Sequence, residues 1–432
     1  MIHQHPLRAQ LHNEIHERPP EPMAAPLAIS HVVMFCDADE RAASREHLAR
    51  LLRDLHLPVP DGEATHLRMD LGTVRLRWEL HTEFVAWTFL RPLDDGDRLD
   101  PRDPVRAVEL LPQDWLAALP GRCLAALHLW AFQSRPHLQL VQEQARALMS
   151  EDRLVGSAVA GDEGQVLTDF ATHADGFSRM LLMAGATMSP RRLGRSVQRL
   201  LEIETYRMAA SLGLPAARQA GAMLDRAEQE LAGLAQAVRS ARREEEPELL
   251  DRLTRLAGEV EGEYAATHSR FSASAAYFGL VDKRIEELNE SRLPGLQTIA
   301  EFIDRRLSPA RATCEWAARR QDALSQRISR VSNLLRTRVE IEQQLGSQQL
   351  LEAMNRRQDL QLKLQATVEG LSVAAISYYI VGLVSYVAKG AMKLGWPFGV
   401  EATSAVAVPV VVLAVWLSMR SVHRRIVGHT SH

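Results

Sequence analysis

Two groups of side chains in this 432-residue chain have types and spacing that could hold a metal or move a proton. His12 and His16 are four apart, with Glu14 and Glu17 beside them. On a helix both imidazoles would share one face, which suits a divalent metal; a solvated surface segment reads the same way. Glu79, His81 and Glu83 are spaced by two. On an uninterrupted strand they would line one face, able to bind metal or do acid–base work, or else to form a solvated face pairing with Arg75 and Arg77. His173, Asp175 and Gly176 form a polar turn with no assignable catalytic geometry. The chain has no P-loop, GxGxxG, GxSxG or HExxH motif, so neither an enzyme nor an ATP-driven pump is expected, and no cofactor. Cys36, Cys123 and Cys314 form no CxxC pair, which points to free thiols in a reducing compartment. A net charge of −3 gives no global field for nucleic acid, and none is expected as a partner.

The elements that must position these groups fall into two stretches. Residues 1–24 are polar, with no apolar run that would make a signal peptide. Residues 25–188 mix strand and helix patterns and predict an α+β or α/β domain. Leu27 to Phe35 reads as a strand, and Ala38 to Leu55 as an amphipathic helix ending before Pro58. Val74, Leu76, Trp78 and Leu80 alternate with Arg75, Arg77 and Glu79, the pattern of a half-buried strand. Phe84 to Leu90 follows as its hairpin partner. Cys123 to Phe132, Leu154 to Ala160 and Val166 to Ala171 are further strands.

From residue 189 the chain reads as helical. Residues 189–307 are expected to form antiparallel helices, broken near Gly213–Pro215, Arg242–Pro247 and Pro294–Gly295. Ser308 and Pro309 resemble an N-cap and first-turn proline, opening a stalk helix over 308–370. Continued to Ala388, that helix would be about 120 Å long. Leu324, Ile328, Val331 and Leu335 follow 4-3-4 spacing, a seam for a self-associating bundle or for other helices of the same chain.

Residues 371–388 and 402–419 are two uncharged stretches joined by a loop, 389–401, and followed by a basic tail, 420–432. Each is near the length that crosses a bilayer core of about 30 Å, so the lipid bilayer is an expected partner. Arg356, Arg357, Lys363, Arg420, Arg424 and Arg425 flank the pair, against Lys389 and Lys393 in the loop, offset by Glu401. That bias places both termini in the cytoplasm. Tyr386, Trp396, Phe398 and Trp416 suit interfacial aromatic belts. Gly370, Ala374, Ser377, Val381, Ser385 and Ala388 recur at helical spacing; such a face packs helices closely or lines a narrow pore.

The order of these parts resembles the CorA magnesium-transporter family over about the last 240 residues: an α/β domain, antiparallel helices, one very long helix running into the first span, a short outer loop, a second span and a basic tail. Leu371-Ser372-Val373-Ala374-Ala375-Ile376 is similar to the start of that family's first span, and Tyr386 falls where its Tyr-Gly-Met-Asn signature begins. Here Val387, Ala388 and Lys389 follow, so Lys389 stands where the cation-receiving Asn would be, and the magnesium site does not carry over. The resemblance implies a homo-oligomer, a pentamer by analogy, with Gly370, Ala374, Ser377, Val381, Ser385 and Lys389 toward a pore and an inorganic ion as cargo. A second resemblance covers nearly the whole chain: His12 to Pro19, Arg77 to Phe84, Gln198 to Pro215 and Glu369 to Lys389 are similar to a bacterial family of membrane-anchored proteins carrying a domain of unknown function. The expectation is a CorA-like inner-membrane channel or transporter with a cytoplasmic regulatory domain; the alternative is a scaffold or sensor that the hairpin merely tethers.

Overall fold

The computed structural model describes residues 4–5, 7–8, 20–94, 105–133, 147–392, 397 and 399–427. These divide into two compact units, Met1–Ser332 and Asn333–His432, each described by itself below.

The first unit is built on a mixed nine-stranded sheet in the order β2-β3-β4-β1-β5-β8-β7-β6-β9. β1 (Leu27–Phe35) lies between β4 (Phe84–Pro92) and β5 (Arg122–Gln133), antiparallel to both. β2 (His66–Asp70) and β3 (Arg75–Leu80) extend the sheet on one side. On the other, β5 pairs parallel with β8 (Ser178–Ala184). β7 (Gly164–Thr168), β6 (Val155–Val159) and the two-residue β9 (Ser291–Arg292) follow, each antiparallel to its neighbour. The apolar–polar alternation of β3 assigns its two faces. Leu76 and Trp78 join Val32, Met34, Val85, Trp87 and Phe89 in one core cluster. Leu48 and Leu52 of α1 (Ala38–Asp54) cover that face. Helix α1 opens with a reciprocal capping box between Asp37 and Glu40. The short helix α2 (Gln113–Ala117) adds Trp115 beside it.

The other face meets helices. Leu27, Ile29, Leu90, Leu127 and Leu129 pack with Leu193, Val197 and Leu200 of α3 (Pro190–Ser211). Each fully buried side chain of this kind contributes about 1.5–3 kcal/mol. Ser189 caps α3 by accepting from the Arg192 amide, and Pro190 occupies its first turn. Gly194 lies against the segment that precedes β1, where a Cβ would stand 1.8 Å from the Glu21 carbonyl oxygen. Helix α4 (Gly213–Ser240) begins where α3 ends, and α5 (Glu246–Leu288) runs to a left-handed Asn289.

The long helix α6 (Ile299–Met392) starts ten residues before the expected Ser308–Pro309 cap and carries Pro309 inside it. Its true start is fixed by a stronger set of bonds. Thr298 and Glu301 exchange side-chain and backbone hydrogen bonds at 3.2 Å. The Ile299 amide donates to Ser157 Oγ of β6 at 3.0 Å, and the Ala300 amide to Glu290 Oε1 at 2.9 Å. All four of the orphan donors that a helix start leaves open are thereby satisfied. Arg320 then pairs with Asp225 and Glu228 of α4, and Gln321 with Thr267 of α5.

The second unit holds the rest of α6 and α7 (Val400–Val427). Both helices contain a stretch long and apolar enough to cross a membrane. Ser385 of α6 and Ser404 of α7 are hydrogen-bonded at 2.8 Å. Ser377 and Ala388 are buried, whereas Tyr378, Tyr379, Leu383 and Tyr386 are exposed.

Candidate functional site

The polar side of β3 does not face water. Arg77 and Glu79 are buried, on the sheet face that α3 covers. Register explains the neighbourhood: Arg77 lies opposite Thr88, which lies opposite His31, and Glu79 lies opposite Ala86. These residues are short or polar, so they cannot fill the space beneath α3 as Ile29 and Leu90 do one step along. The result is a cavity of about 250 Å³. Its floor is His31, Arg77, Glu79, Ala86 and Thr88; α3 contributes Gln198, Leu201, Glu202, Thr205 and Tyr206, and α5 contributes Arg284.

Hydrogen bonds fix most of this set. Arg77 Nη2 donates to Glu79 Oε1 at 2.7 Å. Arg284 donates through Nε to Glu202 and through Nη1 to Glu287 Oε2 at 3.0 Å. Gln198 Nε2 donates to Glu202 Oε1 at 2.8 Å. His31 sits between two threonines, Nδ1 to Thr88 Oγ1 at 2.8 Å and Nε2 to Thr205 Oγ1 at 3.0 Å. Thr205 gives its hydroxyl hydrogen to the Leu201 carbonyl at 2.9 Å, so it accepts from His31 Nε2–H. Thr88 then donates to Nδ1, and the ring is neutral. Burial pushes the His31 pKa down to about 3; Arg77 acts the same way and Glu79 opposes it. Two buried polar atoms in the lining have no partner among the described residues, Arg77 Nε and Gln198 Oε1.

The Glu79, His81, Glu83 trio is divided by the hairpin. β3 ends at Leu80, and the His81 amide donates to the Phe84 carbonyl at 2.9 Å to close the turn. Glu79 and His81 both line the cavity, where His81 stacks on Phe84, and Glu83 accepts from Arg270 Nη2 at 2.7 Å and Tyr277 Oη at 3.0 Å. Burial and the Glu83 carboxylate hold the Tyr277 phenol above its ordinary range. The turn takes Glu83 out of the trio and leaves Glu79 and His81 on one cavity, and among the described residues no three His, Cys, Asp or Glu side chains converge in a way that could hold a metal ion. His12 and His16 lie outside the described residues.

The seam residues Leu324, Ile328 and Leu335 are buried within the chain, and Val331 is half-buried. Exposed apolar residues instead occupy the following stretch: Leu334, Ile341, Leu345, Met354, Leu360 and Leu364. Of the small-residue face, Gly370, Ala374 and Lys389 are exposed, Ser377 is buried, and Val381 and Ser385 are half-buried. Lys389 Nζ lies 5.7 Å from the Tyr386 ring centroid. The charged cavity was not legible as a site in the sequence. Its one signal was Arg77 and Glu79 alternating with large apolar residues in a strand whose hairpin partner is apolar from Phe84 to Leu90 except at Thr88.

These features define a chain with a mixed α+β sheet domain, a long helix and a C-terminal helix, two of whose helices are apolar enough to span a bilayer. Residues 3–426 match the family described as a protein of unknown function, DUF3422, and the chain belongs to it. No curated protein matches the chain.

Proposed function

We propose that the chain is a homo-oligomeric membrane protein of CorA-like plan, five-fold by that resemblance, whose apolar hairpins together surround a path for an inorganic ion. In this reading it lies in the bacterial inner membrane with both termini and the sheet domain in the cytoplasm. The observation that carries it is the run of exposed apolar side chains on α6, from Ile341 through Leu364 to Leu371. A long helix gains most of its stability from burying an apolar face, and identical copies supply the matching face. Two spans cannot enclose a pore alone, so conduction requires assembly. Lys389 would recur once per subunit at the mouth, and a ring of ammonium groups repels cations. Magnesium is therefore not the expected cargo.

A second reading rests on Ser385 and Ser404. Their bond uses part of the small-residue face within one hairpin, which favours a tether for a sensor. Native mass measurement in mild detergent tests assembly, and anion and magnesium flux into liposomes with wild type and Lys389→Asn tests conduction. A closed oligomer passing anions, with cation flux rising in Lys389→Asn, is expected. A monodisperse monomer overturns the channel; an oligomer without flux leaves the tether.

A further inference from the structure

The cavity under α3 has a charge pattern and two open valences that the membrane reading does not use. Its lining carries two arginines, Arg77 and Arg284, against two glutamates, Glu79 and Glu202. The fixed charges cancel. A lone anion or cation entering would lose hydration without finding net countercharge, which is costly in a buried site. A neutral molecule with separated charges avoids that cost, because each end meets the opposite sign.

The open valences have matching polarity. Arg77 Nε is a buried cationic donor with no partner among the described residues. Gln198 Oε1 is its counterpart. The amide nitrogen of Gln198 is committed to Glu202, so the atom left open is an acceptor. An occupant must therefore accept at one end and donate at the other. His31 cannot serve as either, since both its ring nitrogens are held by threonines. Phe84, Ala86 and Leu201 give the rest of the wall an apolar character suited to a short side chain. The volume of about 250 Å³ falls below the range of ~300–1,000 Å³ usual for drug-sized ligands.

We infer that this cavity binds a small zwitterion of α-amino-acid size, its carboxylate toward the Arg77 guanidinium and its ammonium toward Gln198 Oε1 and the Glu202 carboxylate. The site lies wholly within the sheet domain, so it stands whether or not the hairpins conduct.

Thermal melting and calorimetric titration of the full chain in detergent test the assignment. The probes are L-alanine and L-serine, with acetate, methylammonium and glycine betaine as controls. Both amino acids are expected to raise the melting temperature saturably. Acetate and methylammonium supply one end each and have no comparable effect. Glycine betaine, which has no N–H to donate, binds at least tenfold more weakly. Gln198→Leu removes the acceptor and weakens alanine binding at least tenfold. Ala86→Leu fills the floor and abolishes the response. A response to acetate equal to that of alanine overturns the assignment. So does an alanine response unchanged in both variants, or no response to either amino acid, which would leave water in the cavity.

Discussion

Protonating His31 would place a charge in a fully enclosed site, beside the Arg77 guanidinium and between two hydroxyls that already have fixed roles. The unfolded chain carries no such penalty, and its histidine titrates near the ordinary 6.5. Between about 6.5 and about 3 the unfolded state binds the proton and the native state does not. Stability is therefore intact above the upper value and falls as pH drops through that window, by up to about 1.4 kcal/mol per pH unit for one group. His128 behaves alike: burial sets its pKa at about 3 as well. We expect the solubilised chain to melt at a lower temperature at pH 5 than at pH 7. In His31→Gln, whose amide can bridge the same two threonines, that difference should shrink. Equal pH dependence in the two proteins would show that His31 is not neutral in the native state.

Single elements carry their own tests. Gly194 allows the backbone around Glu21 to lie directly on α3, and the Met23 amide donates to the Pro190 carbonyl beside it at 2.9 Å. Gly194→Ala puts a methyl group against a carbonyl with no flexible atom to yield. Its helix propensity gain of about 1 kcal/mol is outweighed, and a net loss of about 1–3 kcal/mol is expected in chemical denaturation. Gly233→Ala in α4, where a Cβ meets nothing within 4 Å, is the control and should be neutral or stabilising. Strands and helices were legible where local pattern agreed with burial. β1 spans the expected Leu27 to Phe35, and the β3–β4 hairpin was announced by alternation followed by an apolar run. β8 was missed, because Ser178 to Ala184 is a short run between turn-like residues and owes its strand state to parallel pairing with β5. Ser308–Pro309 is the louder local signal, whereas the capping pair is Thr298–Glu301. The bonds that decide the start come from Ser157 and Glu290, distant in sequence from Ile299 or outside its pattern. The cavity was hidden for a similar reason. Nothing in the spacing of Arg77 and Glu79 says that a helix more than a hundred residues later will cover them.

For the whole molecule, the distribution of positive charge around the two apolar stretches predicts orientation. With Arg356, Arg357, Arg424 and Arg425 outside the pair and Lys389 and Lys393 between, the loop is expected on the outer side. An impermeant thiol reagent applied to intact cells should label Gly395→Cys and spare His429→Cys. The reverse pattern would invert the orientation and remove the Lys389 ring from the outer mouth.

The place of β1 inside the sheet, between β4 and β5, bears on how the chain is made. β1 is synthesised before every strand it organises, and it waits for partners from residue 84 onward, then 122 onward. Such long-range pairing is slow, on the scale of milliseconds to seconds. The last members of the main core cluster, Cys314 and Ala317, precede the first apolar stretch at Leu371 by about fifty residues. At a synthesis rate of about 5–20 residues per second, that interval lasts about 3–10 s. The ribosome thus gives the sheet time to close before it produces the two stretches long and apolar enough to cross a membrane.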